Sequence, residues 1–193
     1  MTADNQPGPP TICSFWHGQL SWLEQLCIAS FVRNGHRFHL YAYEPMHSLP
    51  DGAEWRDAAA IVPREEIVFY KGVGTVAVFS DYFRTVLLRA GAGIWVDCDV
   101  YCVRPFAGLG PYVLGYERAP TATSSGSINS AVLLCPVDAP LLDDLASIFL
   151  VKDRPLLEPH LPLWRRIEVA ARRLGGDEVA PEYMQYGRPA RSR

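Results

Sequence analysis

Residues 11–16 form a short apolar run between a proline-rich polar stretch and the turn pair His17-Gly18, and read as a first strand. From Leu20 onward, apolar residues recur at Leu20, Leu23, Leu26, Cys27 and Phe31, the spacing of a helix over 20–32. Asn34-Gly35 supplies its stop. Residues 38–43 follow as a second strand, which completes a βαβ opening.

Further along, 58–62 and 67–70 are short strand-like pieces and Gly72-Val73-Gly74 is a flexible connection. Ser80 has the chemistry of a helix N-cap and Asp81 suits the positive end of the helix dipole, so a helix is expected over 80–90. Its apolar stripe includes Phe83, Val86 and Leu87, and Gly91 ends it. The tight Gly91-Ala92-Gly93 turn leads into a strand at 94–97. Strands at 112–116 and 130–135 and helices at 141–151 and 164–174 complete the series, without internal repeats. Alternating helices and strands predict an α/β fold with a mostly parallel central sheet flanked by helices. One domain over 11–186 is expected, between a disordered tail at 1–10 and a basic unstructured tail at 187–193. The small polar residues of 119–127 read equally well as a lid or as an ordinary surface loop.

Composition narrows the function. Half the chain is apolar (49%), enough for a substantial core, and the net charge of −3 argues against nucleic-acid binding. The five cysteines include no C-x-x-C pair, and Cys13, Cys27, Cys98 and Cys135 lie inside apolar runs. They read as small buried hydrophobes in a reducing compartment. No apolar run approaches the ~20 residues needed to cross a membrane, and no leader precedes the first strand. The expected location is cytoplasmic, with room for peripheral membrane association through a partner.

Asp97-Cys98-Asp99 is the densest chemical signal. It follows the apolar run Ile94-Trp95-Val96, and in an extended segment residues two apart point to one face. Two carboxylates aimed together repel unless a cation lies between them. A hard divalent ion, Mn²⁺ or Mg²⁺, is the natural candidate. Asp81 and Arg84, three apart, share one helix face just upstream.

The run Ser80-Asp81-Tyr82-Phe83-Arg84, then Leu87-Leu88 and Gly91 through Asp99, resembles the DXD sugar-binding region of a glycosyltransferase family. That family includes initiating α-1,6-mannosyltransferases of yeast, α-1,4-galactosyl- and N-acetylglucosaminyltransferases, and the glucosylating domains of clostridial toxins. Phe15-Trp16-His17-Gly18 resembles its first strand, and Ile128-Asn129-Ser130-Ala131 its segment after the DXD pair. The likeness runs from about residue 11 to 149. It implies a GT-A, Rossmann-like nucleotide-sugar-binding fold and a retaining, metal-dependent transfer. The donor would be a UDP- or GDP-sugar, and the acceptor a glycan or glycolipid.

Carried onto this chain, the resemblance makes Asp99 and Asp97 the metal ligands, with Asp97 also at ribose or sugar hydroxyls. Asp81 and Arg84 would hold donor-sugar hydroxyls and Asn129 would sit by the reacting sugar. Trp16 would stack near the base and Trp95 would stand near the nucleotide. Trp16 and Trp95 are equally readable as core aromatics, and Asp81 as a charge paired with Arg84.

The chain departs from the family at its end. Relatives continue into a Gly-Pro segment and a C-terminal polar residue that completes the metal or diphosphate site. Here Tyr183-Met184-Gln185-Tyr186-Gly187 gives way to a short basic tail, so a truncation or frame change is expected near Gly187. Two alternatives stand beside the transferase. One is a nucleotide-sugar-binding remnant with impaired catalysis. The other, remote, is a haloacid-dehalogenase-type phosphatase, whose Asp-x-Asp lies on the first strand and needs a later lysine; here the pair is mid-chain and Lys71 and Lys152 are the only lysines.

Overall fold

β1 (Ile12–Phe15) and β4 (Ile94–Val96) are buried along their whole length in the computed structural model, which describes residues 9–67, 75–123, 126–151 and 154–155. Strands covered on both faces read as continuous apolar runs, which is how both appear in the sequence. They pair in parallel, with Ile12 beside Ile94 and Cys13 beside Trp95. On the far side of β1 lie β2 (Phe38–Ala42) and then β3 (Ala53–Asp57), also parallel. Beyond β4 come β6 (Ser127–Leu134) and β5 (Val113–Arg118), paired antiparallel. The order is β3-β2-β1-β4-β6-β5, and β6 alone runs against the other five. The sheet is thus mixed and mostly parallel. Leu150–Val151 (β7) and Arg154–Pro155 (β8) form a separate two-stranded ladder.

Helices cover both faces. α1 (Trp22–Arg33) packs Ile28 and Phe31 against Ile12, Phe38, Leu40, Ile94 and Val96. α2 (Ala77–Arg89) and α3 (Pro140–Phe149) pack Phe79, Phe83, Leu87 and Leu142 against Cys13, Phe15, Trp95 and Leu133. The alternation along each strand sorts these residues to the two faces.

Several predicted boundaries move. α1 starts at Trp22, because Ser21 forms a capping box: its hydroxyl accepts from Leu23 N–H, and the Glu24 carboxylate accepts from Ser21 N–H at 2.6 Å. The expected stripe is only half right, since Leu23 and Leu26 face outward. α2 begins at Ala77, so Ser80 is not its N-cap; Thr75 Oγ1 accepts from Ala77 N–H instead. Asp81 therefore stands a full turn inside the helix and not at its dipole end. The expected strand at 58–62 is a 3-10 turn capped by Asp57, and the third strand is β3, just before it. Cys13, Cys27, Cys98 and Cys135 are free and buried, as expected, and so is Cys102. The expectations for residues 1–8, 68–74 and 156–193, including the helix at 164–174 and both ends of the chain, fall outside the described residues.

Gly93 shows why the Gly91-Ala92-Gly93 turn needs glycine. Its φ is +133°, and a Cβ there would lie 2.3 Å from the Thr11 carbonyl oxygen. That close approach lets Ile94 N–H reach Thr11 O at 2.9 Å and seat β4 beside β1.

Candidate functional site

The chain leaves β1 toward β2 and β3 on one side, then returns through α2 to place β4 on β1's other side. The strand order therefore reverses between β1 and β4. In open α/β sheets, the crevice beyond the carboxyl ends of strands at such a switch point is where ligands bind. Trp16 leaves β1 at that end and Asp97 leaves β4 beside it.

Arg84 organises the crevice. It is a buried guanidinium projecting from α2. Nη2 donates to Asp97 Oδ1 at 2.9 Å, Nη1 lies 3.2 Å from Asp81 Oδ1, and Nη1 also donates to Ser130 Oγ on β6. The guanidinium sits over the Trp95 ring, 4.8 Å from its centroid. Nε is buried with no hydrogen-bond partner among the described residues. The aromatic face beneath the cation offsets part of that cost. Only arginine's fork can reach a helix neighbour, a strand end and a third strand at once.

β6 is irregular where it meets this group. Leu133 pairs with Leu114, but the next β5 residue, Gly115, pairs with Asn129. Ser130, Ala131 and Val132 thus bulge away from β5 while Ala131 O accepts from Asp97 N–H at 2.8 Å. Bulges of this kind re-aim side chains beside functional sites. Here it turns Ser130 to Arg84, and Asn129 Oδ1 accepts from Ala131 N–H at 2.5 Å to stabilise the distortion.

The electrostatics are lopsided. Two carboxylates, Asp81 and Asp97, face one guanidinium, and the exposed Asp99 adds a third negative charge two residues beyond Asp97. Burial pushes the Asp81 carboxyl up from 3.8 to about 6, Arg84 opposes the shift, and the charge of Asp97 adds to it. This crevice favours a cation or a ligand rich in hydroxyl donors.

The Asp97-Cys98-Asp99 geometry corrects the extended presentation expected from sequence. β4 ends at Val96, and Asp97 through Val100 close a turn in which Val100 N–H donates to Asp97 O at 3.0 Å. The two acids therefore do not share a strand face. Asp97 is held by Arg84 and Trp95, whereas Asp99 is exposed; burial raises the Cys27 thiol of α1, and the Asp99 charge adds to that rise. Part of the cation that repulsion demanded is Arg84.

Each predicted site residue can be placed. Asp81, Arg84 and Asp97 converge directly. Asn129 and Asp99 lie on the segments flanking Asp97. Trp16 is half-buried at the end of β1, with its indole N–H donating to Gln19 O at 3.2 Å. Trp95 is only 1% exposed, so it offers no face for a base to stack on. Its indole N–H instead fixes Asp97 Oδ1 at 2.7 Å. Ser130 went unassigned in the sequence, although it stands next to Asn129 in the segment that carried the resemblance.

A divalent ion is compatible with this donor set. Among the described residues no three His, Cys, Asp or Glu side chains cluster as a protein cage. Mg²⁺-type sites on nucleotide substrates need none, since one or two carboxylates plus substrate phosphates suffice. Asp97 Oδ2 takes no hydrogen bond among the described residues, and neither does the Asp99 carboxylate.

No protein-family model matches the chain, and no curated protein matches it.

Proposed function

We propose that the chain is a GT-A glycosyltransferase domain that transfers a sugar, with retention and metal dependence, from a UDP- or GDP-sugar to a glycan or glycolipid. One observation carries this reading: the Asp97–Asp99 turn lies at the β1/β4 switch point, with Arg84 binding Asp81, Asp97 and Ser130 beside it. A nucleotide's phosphates and sugar fit an oxygen-rich crevice at this position of an open α/β sheet. The GT-A assignment and the retaining outcome rest on the resemblance of the Asp81-to-Asp99 block and are proposed on that basis.

Asp97 Oδ2 and Asp99 are the atoms that would hold Mn²⁺ or Mg²⁺, which when bound supplies Lewis acidity for a departing nucleoside diphosphate. The protein's own contribution is preorganisation. Trp95 and Arg84 fix Asp97 from two directions before any ligand arrives, so no reorganisation is needed as charge develops. Asp81 accepts a sugar hydroxyl, with Arg84 setting its orientation. Asn129, its Oδ1 already engaged by Ala131 N–H, keeps its amide N–H groups for the donor sugar.

A panel of UDP- and GDP-sugars incubated with the protein and Mn²⁺ tests this reading. Slow hydrolysis of one donor, abolished by chelator and by Asp99→Ala, is the expected result. Turnover indifferent to both would remove the metal from the mechanism, and no turnover with any donor would remove the transferase.

A further inference from the structure

We infer that the outward face of α1, with the loop that runs beside it, is a docking surface for an anionic lipid bilayer. The inference stands on geometry separate from the nucleotide crevice. α1 is rotated from the orientation its apolar spacing suggests. Cys27, Ile28 and Phe31 face the core, and Glu24 turns back to cap Ser21, leaving Trp22, Leu23 and Leu26 outward. Trp22 is 74% exposed and Leu26 46%. Trp22, Leu26 and Arg33 fall within about 40° of one another around the helix, so the apolar ridge ends in a cation.

The loop following the Asp97 turn extends this ridge sideways. Cys102 N–H donates to Ser30 Oγ at 2.8 Å, and Asn34 Nδ2 donates to Cys102 O at 3.0 Å. These two bonds clamp the loop along α1 and hold Tyr101 and Val103 outward on either side of buried Cys102; Val103 is 84% exposed. Beside Trp22, Leu26 and Tyr101, the exposed valine adds to a patch of apolar surface of the kind that marks an interaction site.

Charge and residue type choose the occupant. Arg33 lies in line with the ridge and Arg104 follows Val103, both exposed; the helix's own acid, Glu24, is buried in its cap, and the exposed acid on this side is Asp99, whose charge reaches Cys27. Tryptophan and tyrosine at the rim of an aliphatic patch suit the headgroup boundary, where one side of the ring is apolar and the other wet. Aliphatic residues, amphipathic rings and arginines together are the composition of a helix lying in a membrane interface. The overall charge of −3 makes this a local basic bias and not a property of the whole surface. Asp99 lies two residues before Tyr101, so such docking would hold the crevice at the bilayer surface; its use for a glycolipid acceptor rests on the transferase reading.

Flotation of the full chain with phosphatidylcholine vesicles, with and without phosphatidylglycerol, tests the inference. The expected result is co-flotation that requires phosphatidylglycerol and weakens with added salt. The Leu26→Glu, Val103→Glu double variant should reduce partitioning by about tenfold or more, and Arg33→Glu, Arg104→Glu should remove the lipid-charge dependence. Trp22→Ser provides an independent disruption if the double variant loses its wild-type circular dichroism. Absence of flotation, or flotation unchanged by these substitutions, overturns the inference. So does a dimer in sedimentation velocity that Leu26→Glu dissolves, since a second copy would then own the surface. No nucleotide enters the assay, so its failure leaves the transferase reading intact.

Discussion

The Trp95 indole N–H donates to Asp97 Oδ1 at 2.7 Å, the same oxygen that receives Arg84 Nη2 at 2.9 Å. A core aromatic thereby aims a carboxylate at the switch point, two residues along the same chain. Trp95→Phe keeps the ring under Arg84 and removes only the donor. A hydrogen bond to a charged group is worth roughly 1.5–3 kcal/mol. Urea denaturation should therefore show a loss of that order; an unchanged midpoint would mean the bond does not restrain Asp97.

Arg84 holds two carboxylates and a hydroxyl in a largely buried setting. Removing one partner of a buried ion pair costs about 3–5 kcal/mol, because the other charges stay behind. Arg84→Met should destabilise by that amount. Arg84→Lys should recover only part of it, since a single ammonium cannot span Asp81, Asp97 and Ser130. Full recovery by lysine in the same denaturation series would contradict the forked arrangement.

Asp81 ties stability to pH. Its folded-state value of about 6 lies above its ordinary 3.8. Between those values the native chain holds a proton that the unfolded chain has released. This contribution is complete below pH ~4 and is lost as pH rises through ~6. Asp81→Asn removes the dependence. Thermal melts should show the variant gaining stability over wild type as pH rises from about 4 to about 7. Parallel profiles would place the carboxyl in a more solvated setting.

Gly93→Ala should be among the most damaging small substitutions. Its positive φ and the Thr11 carbonyl 2.3 Å from the added Cβ leave the side chain no room. A loss of at least ~2 kcal/mol in denaturant midpoint analysis is expected, combining backbone strain with displacement of β4 from β1. A near-neutral effect would mean that the turn can shift freely.

The sequence disclosed the buried strands well because their apolar runs are unbroken: Ile12 through Phe15 and Ile94 through Val96 needed no tertiary knowledge. β3 was missed because it is a half-exposed edge strand. Glu54, Arg56 and Asp57 dilute its pattern, while the apolar Ala58-Ala59-Ala60-Ile61-Val62 run beside it imitated a strand. The start of α1 was legible in Ser21-x-x-Glu24, a capping box overlooked in favour of the leucine spacing; that same spacing misoriented the helix. Asp81 and Arg84 could be paired from their separation alone. The role of Ser130 could not, because it depends on a bulge in β6 and on that strand running antiparallel, neither of which leaves a periodic trace. The aspartates of the Asp97–Asp99 pair were found, but their geometry was misjudged, since the strand stops one residue before them.

Calorimetric titration of the intact chain with UDP- and GDP-sugars, with and without Mn²⁺, tests the central claim most directly. Saturable binding of one donor that requires Mn²⁺ and is lost in Asp99→Ala is the predicted result. Binding of the same donor that is indifferent to Mn²⁺ and to Asp99→Ala, or no binding of any donor, would contradict it.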